Sequence, residues 1–196
     1  MRAVRRVAVT RCLAVLPVDG CTFNSYVIIC SYIHIETNTS STVMKQLILM
    51  MGGPASGKSY IRGRMFGEMM AIDSDAIKRE HPDYDERVPS MEIHSWSSSL
   101  ASQRAEDAIE SGESFVFDGT GSTAEKYVKL IKRAHRAGYR TRLVYVACDL
   151  QMALERNRER SRTVPEAIVI EKHASIADSF EIVSRYAQDV QVVNNQ

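Results

Sequence analysis

No apolar run in this sequence is long enough to cross a bilayer as a helix. The longest candidate, Tyr26 to Ile35, is ten residues, about half of what a spanning helix needs. The first residues carry Arg2, Arg5, Arg6 and Arg11 among Val, Ala and Leu, but Arg11 and Asp19 interrupt any secretory core and no small-residue cleavage site follows. Neither segment reads as a membrane or export signal, and the expected location is the cytoplasm. Charge of one sign is also missing. The 25 Lys and Arg against 24 Asp and Glu leave a formal net charge of +1, so no global field recruits nucleic acid or membrane. Cysteine is scarce and scattered: Cys12, Cys21, Cys30 and Cys148 include no C-x-x-C pair. The expectation is unpaired thiols in a reducing compartment, with neither disulfides nor zinc. An Asn-Lys-x-Asp guanine signature is absent too.

What remains is an ordinary globular composition, 44% hydrophobic and 25% charged, in a chain long enough for one domain with a substantial core. A boundary falls near residue 43, after the polar run Glu36-Thr37-Asn38-Thr39-Ser40-Ser41-Thr42. Residues 1–43 are expected to be a weakly structured extension, with Met44 as the natural start or the start of the folded domain. An added strand pair built from Tyr26 to Ile35 is the alternative. Residues 44–196 form the folded domain on this reading.

From Met44 onward apolar runs and helical patterns alternate. Strands are expected over 46–51, 68–73, 114–118, 142–146 and 190–193. Helices are expected over 58–65, 91–111 (stopped by Gly112), 123–137 (stopped by Gly138), 150–158, and from Pro165 to about 186. Strands separated by helices, with no hairpin alternation, predict an α/β fold with a parallel sheet covered on both faces.

The strongest chemical signal is Gly52-Gly53-Pro54-Ala55-Ser56-Gly57-Lys58-Ser59, which matches the P-loop spacing at every fixed position, between an apolar strand and a helix. Glycines let backbone N–H groups turn inward around a phosphate, and the helix start faces the same anion. Lys58 can reach the β- and γ-phosphates, and Ser59 can ligate magnesium. A nucleoside triphosphate and Mg²⁺ are therefore the expected ligands. The competing reading is a glycine-rich turn with an incidental lysine.

Two further strands end in acids, Ala71-Ile72-Asp73-Ser74-Asp75 and Val116-Phe117-Asp118-Gly119-Thr120-Gly121. Strand ends of a parallel sheet line one crevice, where a kinase needs a base for the acceptor hydroxyl and an acid for magnesium. Asp75 is the candidate base. Asp73, Lys78, Asp118 and Thr120 are candidates for holding substrate, and Asp118 also for the metal. The alternative is that these acids cap the following helices. A third element, Glu155 to Pro165, carries Arg156, Arg158, Arg160 and Arg162. It reads as a lid in which Arg156, Arg158, Arg160 and Arg162 close over the nucleotide and offset charge developing on the transferring group. The alternative is a solvated charged helix end.

These pieces in this order resemble the zeta-toxin family of P-loop kinases, most specifically through Ile72-Asp73-Ser74-Asp75-Ala76-Ile77-Lys78-Arg79-Glu80-His81-Pro82-Asp83-Tyr84-Asp85-Glu86 and the Asp118-Gly119-Thr120-Gly121 turn. The resemblance implies a three-layer α/β/α fold with a five-stranded parallel sheet of the nucleotide-kinase type. It also implies ATP as donor, a UDP-N-acetylglucosamine-like sugar nucleotide as acceptor, and an antitoxin-like protein inhibitor. Asp75 takes the position of the family's base and Lys58 that of its phosphate lysine. The chain departs on the acceptor side: Ser122 stands where the family has an arginine, Asp118 where it has a glutamate, and Ser102 where it has another. Arg156-Asn157-Arg158-Glu159-Arg160 followed by Val164-Pro165 is also similar to the lid of phage-type polynucleotide 5′-hydroxyl kinases, which implies a nucleic-acid end or a nucleoside as an alternative acceptor. A non-catalytic nucleotide switch or a plain ATPase remains a third class.

Overall fold

β1, Gln46–Met51, shows why the chain folds as it does. Leu47, Leu49 and Met51 face one hydrophobic cluster, while Ile48 and Met50 face another. A strand apolar on both sides must be covered on both sides, and that requires helical crossovers. The computed structural model describes residues 44–88, 90–160 and 163–195; the expectations for residues 1–43, and for Cys12, Cys21 and Cys30 within them, lie outside these.

Chain order after β1 is α1 Lys58–Phe66, β2 Met70–Asp73, α2 Ser74–Lys78, α3 Met91–Ser111, β3 Phe115–Asp118, α4 Ala124–Arg136, β4 Arg140–Ala147, α5 Leu150–Arg158, α6 Glu166–Ser184 and β5 Asp189–Asn194. The five strands lie in the order β2-β3-β1-β4-β5, all parallel. The expected α/β/α architecture with a five-stranded parallel sheet is present. One face carries α3, α4 and α6 through residues such as Ala105, Ile131 and Ile176. The other is covered more thinly by α1 through Ile61 and Phe66.

α4 shows the amphipathic period: Tyr127, Leu130, Ile131 and Ala134 are buried at spacings that share one helix face. α3 is opened by Ser90, whose hydroxyl accepts from Ile93 N, and closed by Gly112 at φ 78°, the left-handed stop that glycine favours.

Several boundaries differ from expectation. β2 begins at Met70 rather than 68, because residues 67–69 finish the turn after α1. The one-turn helix α2 was not anticipated; five residues are too few to show a period. β4 begins at Arg140, two residues early, because polar Thr141 is fully buried and is satisfied by His135 and Gln188. α6 ends at Ser184 rather than near 186.

Candidate active site

Parallel topology brings the C-terminal ends of β1, β2 and β3 to one edge, and the loop after β1 lies there. Gly52 has φ 153° and Gly57 φ 87°, both in the region that L side chains avoid. A Cβ on Gly52 would sit 2.8 Å from both Ser56 Oγ and Val146 O. One on Gly57 would fall on the Asn195 amide. The motif glycines are thus required by close approach as well as by backbone conformation. Ala55 also takes a positive φ, 60°. Pro54 and Gly53 line a cleft beside the loop together with Tyr145, Cys148 and His173.

Lys58 opens α1, and its ammonium donates to Gly52 O at 2.8 Å and Gly53 O at 3.2 Å. Burial pulls its pKa down, while the charges of Asp118, Asp75 and Asp73 push it back up and Arg160 adds to the lowering. Ser59 follows at an exposed position. Ser56 is buried, and its hydroxyl has no hydrogen-bond partner among the described residues. Leaving a buried hydroxyl unmatched costs about 1–3 kcal/mol, so its natural partner is a ligand of the loop. The orphaned hydroxyl, the cradle that a Cβ would fill and the lysine over the loop together fit a polyphosphate.

The acid strand ends converge as expected, but their engagements differ. Asp73 is the N-cap of α2, accepting from Asp75 N at 2.9 Å and Ala76 N at 3.4 Å. Of the two readings weighed for it, capping is the one the geometry displays. Asp75, in the first turn of α2, is exposed and lies 2.7 Å from the Lys78 ammonium. Asp118 is 5% exposed. Burial raises its carboxyl pKa above the ordinary aspartate value, Lys58 and Arg62 pull against this, and Asp73 and Asp75 reinforce it. Thr120 ties this turn to the phosphate loop: its carbonyl accepts from Gly52 N at 3.1 Å, and its hydroxyl is 3.3 Å from that of Ser122.

Arg62 was missed by the sequence reading. One turn beyond Lys58 on α1, its Nη1 donates to Asp118 Oδ2 at 2.6 Å and to Asp73 Oδ2 at 3.0 Å. The i, i+4 spacing from the motif lysine was the available signal. Asn195 was also missed, and no local pattern marks it. The β4–β5 register carries it there: its N donates to Ala147 O, and its Nδ2 donates to Ser56 O at 2.8 Å.

The lid arginines divide. Arg156 is part-buried, donating from Nη1 to Asn195 O at 2.8 Å and lying 3.5 Å from Cys148 Sγ, so it braces the lid root against the phosphate-loop side. Arg158 pairs with Glu166. Arg160 is exposed and close enough for its charge to act on Lys58. Arg162 lies outside the described residues. Cys148 is a free thiol. Among the described residues no group of three His, Cys, Asp or Glu gathers to hold a metal, and no helix is long and apolar enough to cross a membrane.

A parallel five-stranded sheet with its glycine loop on the central strand and an arginine-bearing connection above it defines the P-loop kinase type of α/β fold. The family model for Zeta toxin matches residues 32–196. The chain belongs to the zeta toxin family. It is 28% identical over 109 residues to Toxin zeta of Enterococcus hirae, a match covering 50% of this chain and 38% of that protein; the chain thus spans well under two thirds of the length of the curated relatives it matches. Among solved structures it resembles a protein of the PezAT chromosomal toxin–antitoxin system of Streptococcus pneumoniae, with TM-score 0.64 and 19% identity over 79% of this chain and 69% of that one. It also resembles a chain of the AvrRxo1-ORF1:-ORF2 complex with ATP, with TM-score 0.64 and 18% identity over 78% of this chain and 55% of that one.

Proposed function

We propose that this protein is an ATP-dependent kinase that transfers the γ-phosphoryl group to a hydroxyl of a small molecule, and that a UDP-N-acetylglucosamine-like sugar nucleotide is the acceptor. The observation that carries the reading is the meeting of Lys58 with Asp73, Asp75 and Asp118, whose charges act on one another at the strand ends. A phosphate cradle alone would suit any nucleotide-binding protein. A cradle facing an exposed carboxylate suits phosphoryl transfer to a hydroxyl.

Gly52 to Ser59 hold the polyphosphate through backbone N–H groups, and Lys58 offsets its charge. Asp75 accepts the acceptor's proton. The acceptor oxygen forms the new bond to phosphorus as the bond from the γ-phosphorus to the β–γ bridging oxygen breaks, and ADP departs. Ser59 would hold magnesium directly, and Asp118, whose Oδ2 is engaged by Arg62, would hold it through water; the ion would supply charge neutralisation at the phosphates. Arg160 offsets charge over the nucleotide. Lys78 orients Asp75. Family membership and the toxin–antitoxin neighbour support an inhibitory protein partner as part of this reading.

The test is incubation with γ-labelled ATP and UDP-N-acetylglucosamine, free N-acetylglucosamine, nucleosides and 5′-hydroxyl oligonucleotides. Label on the sugar nucleotide is expected. Label on the oligonucleotide alone would move the protein to the polynucleotide class, and release of inorganic phosphate alone to the ATPases.

A further inference from the structure

Lys126, in the first turn of α4, holds a half-buried ammonium that donates to Ser98 Oγ at 2.9 Å and to Ser98 O at 3.3 Å and lies 5.4 Å from the centre of the Phe117 ring. Among the described residues no carboxylate lies within ion-pair distance of it, and burial lowers its pKa. A cation partly withdrawn from water without a counter-ion is costly. Its neighbours compound the cost. His94 stands one turn before Ser98 on α3, and the charges of Lys78, Lys172 and Lys126 all act on it, with Asp75 alone opposing. Asp75 is already paired with Lys78. Lys78, His94 and Lys126, on α2, α3 and α4, therefore gather beside the candidate base, whereas Lys172 on α6 is itself paired with Glu171 at 3.7 Å.

We propose that Lys126 and Ser98, with His94 one turn back along α3 and Lys78 on α2, form a subsite for a phosphate or diphosphate group carried by the acceptor. Its role in acceptor choice rests on the kinase reading above. Lys126 then acts as a specificity-determining residue: the anion replaces the missing counter-ion, and fixing it sets the hydroxyl against Asp75. The positive excess is too local for a polyanion track, which favours a small anionic molecule over a nucleic-acid strand.

The test is calorimetric titration of inorganic pyrophosphate into the full chain with the phosphate loop saturated by ADP, so that only a second anion site responds. Binding is expected in the wild type, about tenfold weaker in Lys126→Gln, and within about threefold of wild type in Lys126→Arg, as charge-assisted hydrogen bonds require. Lys129→Gln, an exposed lysine on the same helix, is expected to leave it unchanged. Equal pyrophosphate affinity in wild type and Lys126→Gln, or no binding beside ADP, would overturn the subsite. In the same format UDP-N-acetylglucosamine should bind at least about tenfold more tightly than N-acetylglucosamine; equal affinities overturn it, and so does a 5′-hydroxyl oligonucleotide binding more tightly than the sugar nucleotide. These titrations contain no ATP, so failure of phosphoryl transfer would remove the kinase reading alone, while a Lys126-independent affinity would remove the subsite alone.

Discussion

The donor half and the acceptor half of this site are built in opposite ways. The donor half is one continuous stretch, residues 52–59, in which backbone geometry does most of the work. Gly52 and Gly57 cannot carry a Cβ without meeting Ser56 Oγ, Val146 O or the Asn195 amide. The proposed acceptor half is assembled from side chains of three separate helices: Asp75 and Lys78, His94 and Ser98, and Lys126. A backbone cradle tolerates little change in sequence, whereas a side-chain assembly can be altered one residue at a time. The departures from the family pattern, Ser102, Asp118 and Ser122, lie outside the loop, as that difference in construction leads one to expect.

If the halves are separable, Lys58→Ala should be the most damaging change. Loss of ATP binding together with phosphoryl transfer reduced by about 10⁴-fold is expected, measured by calorimetry and by label transfer. A variant that still binds ATP normally would break the assignment of Lys58 to the donor half. Asp75→Asn is expected to lower transfer by about 10³-fold while ATP affinity stays within about twofold. A matching loss of ATP binding would show that the two halves act as one.

The same contrast explains what was legible in the sequence. β1 and the loop were readable because their information is local: a continuous apolar run, then glycines at fixed spacing. The 91–111 helix was readable because its buried positions recur at helical spacing and Gly112 closes it. Arg62 was not, since the loop motif says nothing about the turn after its lysine. Lys126 was not, because Ser98 is 28 residues away in the chain and only the packing of α4 against α3 joins them. α2 was too short for a period, and Asn195 depends on the β4–β5 register.

Arg62 joins the halves and gives the third test. It reaches from the phosphate-loop helix to both acid strand ends. Arg62→Met should cost about 2–3 kcal/mol in urea unfolding, because Asp118 is left buried without its nearest cation. Adding Asp118→Asn should restore at least half of that, since the pair is coupled. The pH dependence has a definite sign. The folded Asp118 pKa is raised, so its contribution is fully present below the unfolded value of about 3.9 and is lost as pH rises through the folded value. Removing Arg62 raises the folded value further. The deficit of Arg62→Met should therefore shrink below about pH 4 and grow above it. A deficit independent of pH would mean that Arg62 acts through packing alone.

The smallest effect sharpens the comparison from beneath the donor half. Tyr127 on α4 is buried, and its hydroxyl donates to Met50 O at 3.0 Å, two residues before the loop begins at Gly52. Burial holds that phenol protonated well above its usual range, and the nearby Asp118 adds to the shift. A Cβ on Gly119 would come within 2.7 Å of the same hydroxyl, so the acid turn is shaped around it. Tyr127→Phe keeps the ring, its edge contact with Phe117 and the helix face, and removes only the donor to a buried carbonyl. About 1 kcal/mol of stability should be lost, a fall of about 3 °C in Tm for a domain of this size. ATP affinity should stay within about twofold, because the loop's own backbone bonds, Gly52 N to Thr120 O and Ser56 N to Gly53 O, do not involve the phenol. A larger loss of ATP affinity than of stability would show that the loop's shape is set from α4, and the donor half would then be no more self-contained than the acceptor half.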